Sequence, residues 1–202
     1  YLLHMTHSGK SPATVTRSTA SIKSFYAYMM QCGAVKSNPA KSVVAMKVER
    51  KYPEILTNRE VELFLEQPKC VDEKGFRDHA MLELLYATGI RVAELVSMDI
   101  ADIDFSTRTI KVTGKGNKQR VVPFGLPAQR ALETWLEQGR PVLARTATDA
   151  VKSRAANALF LGARGGRIDQ RIARDIVHRA AREAGVPDIS PHACLLYTSD
   201  AA

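Results

Sequence analysis

Two short alternating runs rich in β-branched residues, Thr109 to Thr113 and Gln119 to Pro123, flank the polar stretch GKGNK in a chain most of whose other apolar patterns recur at helical spacing. A period of two sends successive side chains to opposite faces of an extended strand, and a short Gly-containing turn between two such runs closes them into an antiparallel hairpin. The expected fold is mainly α with a small antiparallel β-hairpin or sheet, an α+β arrangement.

The helices have recognisable ends. Ser11-Pro12 opens a segment with Val15, Ile22, Phe25, Tyr26 and Met29 at helical spacing and a stop at Gly33, which leaves Arg17 and Lys23 outside the apolar set. KSNPAKSVV then reads as a turn, and KVERKYPEIL as a charged linker containing Pro53. Beyond it, Thr57 and Glu60 have capping-box spacing, and Leu56 can staple onto Val61. FRDHAMLELLYATG continues as a helix stopped at Gly89, and IRVAELVSM opens another short one. After the hairpin, PAQRALETWLEQG predicts a helix with Leu132 and Trp135 in the core, ALFLG a short buried strand, ARGGR a turn, and DQRIARDIVHRAAREAG an amphipathic helix stopped by Gly185. Residues 141–157 are polar and Ala-rich and carry no assignable pattern.

The net charge of +8 is unevenly placed: residues 1–52 carry eight Lys/Arg against one acid, and the rest of the chain 21 against 20. Such asymmetry suggests a polyanion-binding module joined to a nearly neutral one, although a merely solvated basic surface would read the same way. Domains are expected over 1–50 and 53–193. No apolar run approaches the ~20 residues of a membrane helix and no signal-peptide pattern is present, so a cytosolic protein is expected. Cys32, Cys70 and Cys194 are far apart, which indicates neither a zinc site nor a disulfide framework.

Three cationic or titratable residues stand where secondary structure breaks: Arg91 just past the Gly89 stop, Lys115 in the hairpin turn, and His192 in the first turn of a helix opened by Ser190-Pro191. Beside a basic module, this set suits a phosphodiester. Arginine offers a planar fork for two oxygens, lysine a mobile proton, and histidine proton transfer near neutral pH. Each also has a plainer explanation: Arg91 could pair with Glu94 on its own helix, Lys115 could be simply solvated, and His192 could be structural.

The surrounding letters are more specific. LLYATGIRVAELVSMDIADID, VTGKGNKQRVVPFG and SPHA resemble successive motif blocks of the tyrosine recombinases, the Xer type and its integrase relatives in particular, and 24 residues separate Arg91 from Lys115, as that block order leads one to expect. KSPATVTRSTASIKSFYAYM is similar to the later helices of the family's helical, SAM-like core-binding domain. The resemblance implies a site-specific recombinase needing no metal or other cofactor, in which a tyrosine attacks the scissile phosphate to give a 3′-phosphotyrosyl link and a free 5′-hydroxyl. Arg91 would clamp the non-bridging oxygens, Lys115 would protonate the leaving 5′-oxygen, and His192 would assist phosphate stabilisation and proton transfer. Arg17, Lys23, Lys118 and Arg120 are the expected DNA contacts. The implied partners are double-stranded DNA and further recombinase subunits, four to a synaptic complex, in a cytoplasmic, nucleoid-associated setting. A non-catalytic DNA-binding protein is the alternative, and a metal-dependent nuclease fits less well because no carboxylate cluster or His pair appears.

The last residues depart from that pattern. An arginine is expected three residues after His192 and a histidine after that, where Leu195 and Leu196 stand. Tyr197 lies only five residues past His192 and lacks the family's neighbouring motif, so it is not expected to be the nucleophile. CLLYTSDAA reads like a translated transposon-end adapter. Residues 194–202 are therefore expected to be a foreign tail on a middle piece of a recombinase, a piece that also lacks the earlier core-binding helices and would not cleave DNA by itself.

Overall fold

The computed structural model describes residues 1–44 and 56–187, apart from the side chain of Lys115, and divides the chain into two units, Tyr1–Tyr52 and Pro53–Ala202. His192, the Ser190-Pro191 helix start and the 194–202 tail lie outside the described residues.

In the first unit a short helix α1 (Leu2–His7), not anticipated from the sequence, packs on α2 (Pro12–Gln31). Ser11 caps α2 as expected, its hydroxyl accepting from the Thr14 N–H at 3.2 Å, and Gly33 turns the chain with a φ of +72°. The inward stripe of α2 differs from the expected one. Val15 and Thr19 are buried while Phe25 is 56% exposed. Counting in steps of three and four from Val15 leads through Thr19, Ile22 and Tyr26 to Met29, and Phe25 stands beside that line. Arg17 is exposed and Lys23 half-buried; six residues apart, they face different sides of the helix.

The second unit is built around α4 (Glu73–Thr88), whose Ala80, Met81, Leu82, Leu84 and Leu85 are buried. Before it, α3 (Asn58–Leu65) starts in the expected capping box: Thr57 N–H donates to Glu60 Oε2 at 2.7 Å and Glu60 N–H returns to Thr57 Oγ1 at 3.3 Å. After it comes α5 (Val92–Ser97), then a 3-10 turn over Ile100–Asp102. The sheet has three antiparallel strands rather than the two of a hairpin, in the order β1 (Ile103–Asp104), β2 (Thr109–Thr113), β3 (Gln119–Pro123). Between β2 and β3 the turn contains Lys115–Asn117 as a 3-10 element, with positive φ at Gly116 and Asn117. In the β2–β3 register Val112 faces Arg120 and Ile110 faces Val122.

The segment expected as one helix over 127–139 is interrupted. α6 (Leu126–Thr134) passes into a π-helical turn, Trp135–Gly139, and then into α7 (Arg140–Arg145). A Cβ on Gly139 would fall 2.6 Å from the Trp135 ring, so only glycine allows that widened turn to seat the indole. The unassigned stretch 141–157 forms most of α7 and all of α8 (Asp149–Ala155). The predicted ALFLG strand joins no sheet. Its Ala158–Leu161 stretch is fully buried and makes only isolated bridges, Asp99 to Ala158 and Leu161 to Arg167. Donors from elsewhere satisfy its carbonyls instead: Arg140 Nε on Ala158 (2.9 Å), Trp135 Nε1 on Leu159 (2.9 Å), Ile168 N–H on Phe160 (3.0 Å) and Arg77 Nη1 on Leu161 (3.1 Å). Last, α9 (Gln170–Ala184) buries Ala173, Ile176, Val177, Ala180 and Ala181 and stops at left-handed Gly185.

Candidate active site

Gly89, at a φ of +58°, ends α4 and releases the chain into α5, whose N-cap is Arg91. That position gives Arg91 its exposure: its backbone has left the core-facing helix, and its side chain is 64% exposed. One turn on, Glu94 lies beneath it and is 5% exposed. Its carboxylate takes four donors. Oε2 accepts from the Arg91 backbone N–H (2.8 Å) and Arg120 Nη2 (2.8 Å); Oε1 accepts from Arg91 Nη1 (3.1 Å) and Arg120 Nη1 (2.7 Å).

A carboxylate has about four lone-pair positions, and here all of them are occupied. The hydrogen bonds from Arg120 hold the Glu94 carboxyl well down, to about 2, against the opposing effect of burial; the same bonds raise Arg120. Glu94 is thus ionised across the physiological range, and two guanidinium groups share its single charge.

Arg91, Ala93, Glu94, Thr113 and Gly114 line a cleft of about 450 Å³. Thr113 ends β2 and Gly114 begins the turn, whose N–H bonds the Lys118 carbonyl at 2.8 Å. The residue after Gly114 is Lys115, so α5 and the hairpin turn bring Arg91 and the residue that precedes Lys115 to one cleft. Lys118 is exposed at the far end of the turn.

Sequence reasoning placed Arg91 and Lys115 at structural breaks, and both stand there. It offered Glu94 only as the plainer explanation of Arg91. The structure shows that the two readings coexist, because a single guanidinium nitrogen of Arg91 is engaged on Glu94 while the side chain stays 64% exposed at the cleft. The missed residue is Glu94 as the centre of the site. Its signal was its i+3 spacing from an arginine at a helix start, together with a lone carboxylate on an otherwise apolar helix face. Arg120, expected as a DNA contact, is directed at Glu94 by the strand register.

The profile of the phage integrase family matches residues 54–194. The tyrosine recombinase XerC of Bifidobacterium longum (strain DJO10A) is 55% identical in an alignment covering 90% of this chain and 65% of that protein. The tyrosine recombinase XerC of Corynebacterium glutamicum is 44% identical over 91% of this chain and 57% of its own length. Among solved structures, the Tn1549 transposon integrase in complex with circular intermediate DNA aligns over 100% of this chain and 71% of that one, with a TM-score of 0.73 and 21% identity. The XerH site-specific recombinase bound to palindromic difH substrate aligns over 95% and 58%, with a TM-score of 0.72 and 21% identity. These two share its fold, and the chain spans 57 to 65% of the two curated relatives. With the family profile matching most of its length, on top of the motif blocks and the helical fold with its small sheet, the chain belongs to the phage integrase family.

Proposed function

We propose that this chain is the phosphate-handling part of a site-specific DNA recombinase. The observation that carries the reading is the Arg91 fork, held at a cleft by a buried carboxylate and left mostly in solvent, next to a turn bearing a lysine. A guanidinium so placed can span two non-bridging oxygens and offset the charge that develops on them in the transition state. A tyrosine hydroxyl of the whole recombinase attacks phosphorus as its proton passes to His192, the bond from phosphorus to the 5′-oxygen breaks, and the departing oxygen takes a proton from Lys115. His192 assists at the phosphate, and reversal by another strand's 5′-hydroxyl completes the exchange. Arg17, Lys23 and Lys118 supply sequence-independent attraction to the duplex backbone. Double-stranded DNA is the partner, four subunits act together on it, and the setting is the cytoplasm. Among the described residues no helix is long and apolar enough to cross a membrane.

The test is a chimera. Residues 53–187 replace the matching segment of the Bifidobacterium longum relative, and recombination is measured between two copies of that protein's own site. The chimera should recombine without added metal, and Arg91→Met within it should lower the rate by about a hundredfold or more, the usual scale for losing one stabiliser of transition-state charge. A folded chimera that recombines equally well without Arg91 would overturn the proposal.

A further inference from the structure

We infer that Arg120 is a positioning residue, the counter-ion that occupies Glu94 so that Arg91 keeps its guanidinium turned to the cleft. The inference rests on the reading of Arg91 as a phosphate ligand and assigns Arg120 a different task from that of touching DNA.

Three observations carry it. First, the register pairs Arg120 with Val112, and side chains of paired residues leave a sheet on the same face. Val112 is buried, so Arg120 emerges on the core side of β3, while its neighbour Val121 is 66% exposed on the other. Second, the two arginines hold Glu94 unequally. Arg120 gives two terminal nitrogens at 2.7 and 2.8 Å, and Arg91 one at 3.1 Å. A two-nitrogen pair fixes both partners, whereas a one-nitrogen pair leaves the fork able to serve a second anion. Third, Gly114 backs onto the same group: a Cβ there would lie 3.4 Å from Glu94 Oε1 and 3.7 Å from Arg120 Nη1. Arg120 therefore sits beneath the start of the turn that carries Lys115.

The consequence is electrostatic. A carboxylate as buried as Glu94 must keep a cationic partner. Without Arg120, Arg91 is the guanidinium left beside it, and its fork turns inward to take the vacated positions. The charge meant for a phosphate is then spent on the protein itself.

The test uses the full chain and a fluorescently labelled random-sequence duplex. Affinity and its salt dependence are measured for Arg120→Met, Arg120→Lys, Glu94→Gln, Arg91→Met and the double variant Glu94→Gln/Arg120→Met. The Arg91 side-chain N–H signal, assigned by its loss in Arg91→Met, is followed by NMR without DNA. Arg120→Met should weaken duplex binding about fivefold, flatten the salt slope by about 0.9, and move the Arg91 signal toward that of a buried two-nitrogen pair. Arg120→Lys should fall between, since a point charge engages one oxygen at a time. The double variant should recover most of the lost affinity and return the Arg91 signal to that of a solvated guanidinium, because no buried charge remains to capture it.

Equal weakening in Arg120→Met and the double variant would mean that Arg120 touches DNA itself and would overturn the inference. An unmoved Arg91 signal in Arg120→Met would overturn it as well. If Arg91→Met leaves duplex binding unchanged, the phosphate reading fails, and the Arg91 signal still decides the role of Arg120.

Discussion

Glu94→Gln is the substitution whose effect the structure specifies most closely. The side chain keeps its shape and loses its charge. Glutamine presents one carbonyl oxygen and one NH2 group, so one side of the carboxylate pocket becomes donor facing donor against the two arginines. The folded carboxyl sits at about 2, and an ordinary glutamate near 4.5. A group whose folded value is depressed stabilises the fold fully above its unfolded value and loses that contribution as pH falls toward the folded one. At about 1.4 kcal/mol per unit, the gap of 2.5 units is about 3 kcal/mol at neutral pH as an upper bound. Arg91 and Arg120 are 64% and 41% exposed, so water screens part of this, and about 2 kcal/mol is the expected loss in the variant at pH 7.

The pH profile is the sharper part of the prediction. The contribution is complete above about pH 5, and near pH 3 about four-tenths of it remains, so the gap between parent and variant should shrink from about 2 to about 0.8 kcal/mol. Urea unfolding followed by tryptophan fluorescence measures it, because the single tryptophan, Trp135, is buried in the same unit as Glu94. A gap that stays constant between pH 7 and pH 3, or one below about 0.5 kcal/mol at pH 7, would refute the account of Glu94 as an ionised carboxylate held by two guanidinium groups.

Three further outcomes are expected. Gly75→Ala should destabilise the second unit by about 3 kcal/mol, since a Cβ there would lie 1.8 Å from the Lys69 carbonyl oxygen and the backbone would have to move; calorimetry checks it. Trp135→Phe keeps an aromatic ring against Phe160 but leaves the buried Leu159 carbonyl without its donor, for a loss of about 1–3 kcal/mol in urea unfolding followed by circular dichroism. Arg167→Met removes donors to the Val96 and Met98 carbonyls at the end of α5, so amide exchange within Val92–Ser97 should accelerate about tenfold while that of α4 stays unchanged.

What was legible in the sequence was local. The Thr57 and Glu60 box, the left-handed stops at Gly89 and Gly185, and the Gly-rich turn between β2 and β3 each depend on residues within a few positions of one another, and each formed where the letters placed it. The stretch Ala158–Leu161 shows where such reading stops. Its apolar run correctly announced burial, but burial of a backbone requires partners for its carbonyls, and three of the four came from the side chains of Trp135, Arg140 and Arg77, donors that no pattern within the stretch could name. For the same reason Arg120 looked like a surface cation. Its direction is set by the pairing with β2, and its partner lies 26 residues earlier.

The site depends on that long-range part. α5 is six residues long, far too short to persist on its own, and it carries Arg91 at its first end. Two arginines brought from later in the chain pin it. Arg120 reaches Glu94 in its first turn from β3, and Arg167 reaches the Val96 and Met98 carbonyls at its end while pairing with Asp99. Arg167 gives donors to carbonyls that the helix cannot satisfy itself, Arg120 fixes the carboxylate that accepts the Arg91 N–H at its start, and neither lines the cleft. A cation at the mouth of a marginal helix can be aimed only if that helix has a fixed axis, so the aim of Arg91 is set by two residues that lie outside the motif containing it.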